Sequence, residues 1–150
     1  MRIYLAVAAI LLFLGVSFSY AGENLKINPN LNYSSDSNDG SLITGDDMDA
    51  GAASSRVNYA LIYGEGCYNS KRQARRTVAL YEKYRGRVHF VIIDLDKPLS
   101  SEQSALVKNH YQGSIPHVVI LDKAGKAVYD AAGEVDEADL SRLLDKALAK

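Results

Sequence analysis

The chain has 150 residues, a net charge of −1 and a single cysteine. Its length allows one domain with short additions, and its nearly balanced charge gives no reason to expect binding to nucleic acid or to an anionic membrane. A single cysteine also excludes an internal disulfide, so any disulfide chemistry of this chain has to involve a second molecule.

The first 21 residues have the pattern of a secretory signal peptide. Met1-Arg2 supplies a positive start, Ile3–Val16 is almost wholly apolar, and Ser19-Tyr20-Ala21 ends in the small-x-small pattern of a cleavage site. The apolar run is shorter than the roughly 20 residues that a membrane-spanning helix needs. We therefore expect cleavage after Ala21, an exported and most simply periplasmic protein, and no membrane contact after cleavage.

Residues 22–56 have the composition of a flexible linker. They are rich in Ser, Asp, Asn and Gly, and their apolar residues are isolated and follow no period. Because such segments bury too little apolar surface to fold, the composition predicts a disordered acidic linker, with the domain at 57–150. Asp36-Ser37-Asn38-Asp39-Gly40 is similar to the start of a calcium loop, but it is one residue short and has no closing Glu. No metal site is predicted there.

From residue 57 onward, apolar runs and helical periodicity alternate. A strand followed by a helix and a second strand is expected to place the two strands parallel, whereas a short glycine-containing loop joins antiparallel strands. The order β-α-β-α-β-β-α therefore predicts an α/β fold with a mixed β-sheet flanked by helices. The predicted elements are Val57–Tyr63, Ser70–Tyr84, Val88–Leu95, Ser100 to about His110, His117–Leu121, Ala127–Asp130 and a last helix that begins at Asp136 and Glu137.

Cys67 lies where the first of these strands gives way to the first helix. Free backbone N–H groups and the helix dipole favour a thiolate at such a position. Ser70, three residues on, is placed to direct its amide and hydroxyl at the sulfur, and four cations follow closely, namely Lys71, Arg72, Arg75 and Arg76. These features favour a reactive thiol. The competing interpretation is a small buried apolar residue, which is the commoner role of an unpaired cysteine.

Residues 57–150 resemble the thioredoxin fold family in the order and spacing of their motifs. Gly66-Cys67-Tyr68-Asn69-Ser70-Lys71 stands where that family has Trp-Cys-Gly-Pro-Cys-Lys, and Gly113-Ser114-Ile115-Pro116 stands where it has Gly-Ile-Pro. The resemblance implies a cis peptide bond before Pro116, with that residue close to Cys67. It also implies that Tyr68, Ile115 and Pro116 bind the substrate. His117, next to the proline, either lies near the sulfur or is turned away by strand alternation.

The differences from the family pattern bear on function. Ser70 replaces the second cysteine, so a mixed disulfide formed by Cys67 has no internal thiol to resolve it, and Val57–Tyr63 lacks the family's buried acidic residue. The resemblance thus implies an exported monothiol oxidoreductase that forms mixed disulfides with protein or low-molecular-weight thiols, using Cys67 and Ser70 and no cofactor or metal. The alternative is a non-catalytic module that binds peptides or proteins.

Overall fold

The computed structural model describes residues 22–150. The signal peptide predicted for residues 1–21 lies outside the described residues. Among the residues that are described, no helix is long and apolar enough to cross a membrane.

Seven elements over residues 57–150 follow the predicted order, and two strands precede them. The predicted α/β fold is confirmed, since the helices flank a mixed sheet. The elements are β1 (Glu23–Ile27), β2 (Ile43–Asp46), β3 (Val57–Tyr63), α1 (Tyr68–Tyr84), β4 (Val88–Asp94), α2 (Ser101–His110), β5 (His117–Leu121), β6 (Ala127–Ala132) and α3 (Glu137–Leu148).

The main sheet has the strand order β4-β3-β5-β6. β3 and β4 are parallel, while β5 is antiparallel to both β3 and β6. Successive residues of β3 point to opposite faces, and both faces are covered. Tyr59 and Leu61 pack in the cluster that contains the apolar residues of α1 and α3, whereas Ala60 and Ile62 pack with Leu106 of α2.

The prediction of a flexible linker at residues 22–56 is wrong for this structure. β1 and β2 form a two-stranded antiparallel sheet, and Leu25, Leu42 and Ile43 are at most 1% exposed within the core that contains α1. The Asn24 N–H donates to the hydroxyl of Tyr81 at 2.7 Å. The isolated apolar residues of this segment are therefore core residues, although they follow little periodicity, and the segment is part of the folded domain.

Candidate functional site

Cys67 ends the short loop between β3 and α1. It is the N-cap residue of α1, with φ −90° and ψ 121°, and its thiol is free and half-buried. The Cys67 N–H donates to the Gly64 carbonyl at 3.4 Å, and the Cys67 carbonyl accepts the N–H of Lys71 at 3.0 Å as the first bond of the helix. The thiol thus lies at the N-terminus of a 17-residue helix, as predicted.

The loop that carries Ile115 and Pro116 lies against the Cys67 loop. The Ile115–Pro116 peptide bond is cis, and the Pro116 carbonyl accepts the N–H of Gly133 at 2.7 Å. A Cβ atom at Gly64 would lie only 2.6 Å from Cδ1 of Ile115, so glycine is what permits this close approach. Ile115 is half-buried and Pro116 is buried.

Ser70 and Tyr68 occupy the first turn of α1. Ser70 is fully buried, and its hydroxyl has no hydrogen-bond partner among the described residues. It lies three positions after Cys67 and therefore on the same side of the helix, but the structure shows no Ser70–Cys67 hydrogen bond. Tyr68 is half-buried, and the guanidinium of Arg72 lies 5.4 Å from the centre of its ring.

The cations that follow Cys67 have other partners, which corrects the expectation that they act on the thiol. Arg72 and Arg76 both pair with Glu134, at 2.7 and 3.0 Å. Arg75 lies over the ring of Tyr33, 4.9 Å from its centre. One carboxylate therefore offsets part of the positive charge near the thiol, because opposite charges at such distances weaken each other's field.

Lys71 is fully buried, although a run of basic residues on a helix is usually a solvated face. Its ammonium donates to the carbonyls of Asn32 and Ser35 at 2.6 and 3.1 Å and to the Ser37 hydroxyl at 2.5 Å. It also lies 3.4 Å from a carboxylate oxygen of Asp39. Two side chains of the segment that resembles a calcium loop, Ser37 and Asp39, thus bind a cation supplied by the chain itself.

Asp36 is a site residue that sequence reasoning missed. Its carboxylate accepts the N–H of Tyr68 at 2.7 Å and so occupies part of the anion-binding position at the N-terminus of α1. A thiolate on Cys67 would share that position with this carboxylate. The carbonyl oxygen of Ser37 lies 3.6 Å from where a Cβ atom of Gly66 would be, so the same segment covers the residue before Cys67.

We use the name "strap" for residues 28–42, which cross the N-terminus of α1. The Tyr33 hydroxyl lies 3.0 and 2.8 Å from the carbonyls of Asn28 and Leu42, near the two ends of the strap. The Leu42 N–H donates to the Tyr63 hydroxyl at 3.1 Å, and the Ser41 hydroxyl donates to Asp94 at 2.8 Å. Burial, together with the nearby Asp94 carboxylate, raises the pKa of Tyr63 well above its usual value, so this hydroxyl stays protonated.

His117 belongs to a second polar cluster. It is fully buried, and its Nε2 lies 2.7 Å from one carboxylate oxygen of Asp130, while Nδ1 of His110 lies 2.7 Å from the other. The ring of Tyr111 is 6.2 Å from that of His117 in an edge arrangement. Asp130 thus ties together the two ends of the segment between α2 and β5 that carries Ile115 and Pro116.

We expect Asp130→Asn to reduce the loss of stability in acid. Burial raises the pKa of Asp130, but the hydrogen bonds and charges of His110 and His117 outweigh it and lower that pKa below the ordinary 3.8. The folded chain therefore keeps the carboxylate ionised to lower pH than the unfolded chain. The resulting stabilisation is complete above that ordinary value and is lost as the pH falls through the folded-state pKa.

Urea unfolding at pH 5 and at successive values below 3.8 measures this contribution. The variant should lose less stability over that interval than the unsubstituted chain. Equal losses in the two proteins would show that the contact between Asp130 and the two histidines contributes nothing to stability.

Comparisons with known proteins identify the fold and nothing narrower. No protein-family model and no curated protein matches the chain. Among solved structures, the chain is similar to thioredoxin-2 of a malaria parasite, which is described as a component of the parasite's protein secretion machinery. The TM-score is 0.52 and the identity is 22%, and the match covers 61% of this chain and 82% of that one. It is also similar to chloroplastic thioredoxin z, with a TM-score of 0.52, 23% identity, and coverage of 64% and 81% respectively. The chain therefore has a thioredoxin-like fold.

Proposed function

We propose that this chain is an exported thioredoxin-fold protein that exchanges disulfides through the single thiol of Cys67. The observation that carries the proposal is the position of Cys67, a half-buried free thiol at the N-terminus of α1, in a loop that contacts Ile115. Export is supported by the amino-acid pattern of residues 1–21. The fold makes protein and low-molecular-weight thiols the natural partners.

The exchange follows ordinary thiol–disulfide chemistry. The Cys67 thiolate attacks one sulfur of a partner disulfide, a new S–S bond forms, the partner's S–S bond breaks, and the second sulfur leaves as a thiolate that takes a proton from water. Cys67 is oxidised and the partner is reduced by the same electron pair. Ser70 stands where a second thiol would complete the cycle, so an outside thiol must release the bound group.

Three neighbouring residues are assigned to substrate binding. Tyr68 follows Cys67 and is half-buried, Ile115 is half-buried against Gly64 of the same loop, and Pro116 is buried beside Ile115. Tyr68 and Ile115 keep exposed apolar surface near the Cys67 loop, which suits the side chains that flank a disulfide, and Pro116 supports Ile115 from below that surface. Ser70, with a buried hydroxyl that has no partner in the described part of the chain, is the group we assign to stabilising the thiolate.

A non-catalytic binding module is the second candidate, and one observation favours it. The groups expected to stabilise a thiolate are engaged elsewhere, since Asp36 accepts the N–H of Tyr68 and Glu134 pairs with both Arg72 and Arg76. In such a module the chain would bind a peptide beside Pro116 without reaction at Cys67.

Intact-mass measurement of the folded protein after incubation with glutathione disulfide tests the proposal. We expect one glutathionyl group on the unsubstituted chain and none on Cys67→Ser, the control that removes only the sulfur. If the folded chain acquires no adduct while a denatured sample does, the thiol is not available for exchange and the binding-module function takes its place.

A further inference from the structure

Residues 28–42, the strap, occupy space beside Cys67 that a protein partner would need. Ser37 places its carbonyl oxygen 3.6 Å, and Asn38 its Cβ atom 3.7 Å, from the position of a Cβ atom on Gly66. Neighbouring extended chains need about 4.8 Å between their backbones. No second chain therefore passes between the strap and the residue that precedes Cys67.

The strap is held to α1 by the buried ammonium of Lys71 and by Asp36. Lys71 has four oxygen partners in the strap, two of which are backbone carbonyls. Such hydrogen bonds to a charged group contribute more than neutral ones, and a buried ammonium without them would carry a large desolvation cost. Because Lys71 is fully buried and these four partners all belong to the strap, opening the strap requires this ammonium to find water instead.

The ends of the strap are held independently of Lys71. Leu42 is completely buried, and the hydroxyl of Tyr33 lies within hydrogen-bond distance of the carbonyls of Asn28 and Leu42. The strap is thus anchored at both ends and at its centre. Cys67 is nevertheless only half-buried, so the strap leaves part of this residue open to solvent.

We propose that the strap selects low-molecular-weight disulfides at Cys67 and excludes protein disulfides unless it opens. This inference rests on the proposed exchange at Cys67 and assigns its substrate class. A small disulfide reaches the open side of the sulfur with the strap in place. The Cys67 thiolate forms a bond to one of its sulfurs, the disulfide bond breaks, and the small leaving thiolate takes a proton from water.

Two reagents with the same reacting group test the size selection. One is a small alkyl 2-pyridyl disulfide, and the other carries that group on the surface of a folded protein similar in size to this chain. Pyridine-2-thione release reports both reactions. Each rate is first divided by the rate of the same reagent with an unhindered small thiol, which corrects for the intrinsic reactivity of the reagent. Because only the fraction of molecules with an open strap reacts with the large reagent, we expect its corrected rate to be at least about tenfold lower than that of the small one.

Weakening the centre of the strap should remove the selection. In Ser37→Ala/Asp39→Asn, Lys71 loses one hydrogen-bond acceptor and the negative charge of another. The large reagent should therefore react faster, while the rate of the small one changes little. Asp47→Asn is the matched control, since Asp47 is exposed, lies outside the strap and has a positive φ of 49°, which asparagine tolerates. Tyr33→Phe removes the hydrogen bonds that join the two ends of the strap. This variant should therefore also raise the rate of the large reagent.

The outcomes separate this inference from the proposed function. If the unsubstituted chain reacts with both reagents at equal corrected rates, or if the strap variants leave the ratio unchanged while remaining folded, the strap does not select by size. If even the small reagent fails to react with folded protein, including the variants, then exchange at Cys67 itself is refuted.

Discussion

Leu42→Ala is expected to lower the free energy of unfolding by about 2–5 kcal/mol, the usual effect of deleting a fully buried leucine. Leu42 has no exposed surface and packs in the same cluster as Tyr63 and Leu25. The change removes apolar contacts and leaves a cavity that the surrounding core fills only in part. In a flexible linker the same change would have almost no effect, so the substitution distinguishes the two descriptions of residues 22–56.

Urea unfolding of the variant, the unsubstituted chain and Lys26→Ala measures this difference. Lys26 is exposed on β1, so its replacement should change the stability by no more than about 0.5 kcal/mol. A Leu42→Ala effect as small as that of Lys26→Ala would mean that the N-terminal segment contributes nothing to the fold.

The elements from β3 onward could be predicted because their patterns are local. β3 and β5 have the predicted bounds, Val57–Tyr63 and His117–Leu121, since continuous apolar runs bounded by loop residues are typical of strands covered on both faces. The helix after Pro98 was also predicted from its first turn, and the Ser100 hydroxyl accepts the N–H of Gln103 at 3.1 Å. In each case the signal lies within a few residues.

The fold of residues 22–56 could not be predicted in this way because its contacts are distant in sequence. Leu42 packs against residues far along the chain, and the Lys71 ammonium is bound by the Asn32 carbonyl, a backbone group that any residue would supply. One signal was present. Lys71 lies three residues before Ala74 and seven before Val78, so helical spacing alone places it on the apolar stripe of α1.

The same limit applies to the charges of the candidate site. The sequence places Cys67 at the start of a helix and cations just after it, and the structure agrees with both placements. It could not indicate that Glu134, 62 residues after Arg72, would pair with that cation, or that Asp36 would reach the first helical N–H. The position of the thiol was therefore predictable, whereas its electrostatic surroundings were not.

Ser70→Cys is expected to convert the single-thiol chain into one that completes a dithiol cycle. Position 70 lies on the same side of α1 as Cys67, and the hydroxyl it replaces has no hydrogen-bond partner in the described part of the chain, so the new thiol costs no such bond. With a reductant present, the variant should reduce insulin disulfides through the fraction of molecules whose strap is open, and the unsubstituted chain should not exceed the rate of the reductant alone.

Asn69→Cys is the matched control for this gain. Position 69 is exposed and lies two residues after Cys67, a spacing at which helical side chains do not face each other. It adds a thiol without placing it opposite the sulfur. If Asn69→Cys gains as much activity as Ser70→Cys, an extra thiol alone is responsible, and position 70 has no special relation to Cys67.

The fate of an isolated mixed disulfide tests most directly whether Cys67 exchanges disulfides without a resolving thiol. The glutathionylated chain, freed of excess disulfide and kept folded in thiol-free buffer, should retain its adduct by intact mass and should lose it when a small thiol is added. The Ser70→Cys adduct should release glutathione without any added thiol. Spontaneous release from the unsubstituted chain, or failure to form the adduct at all, would contradict the account.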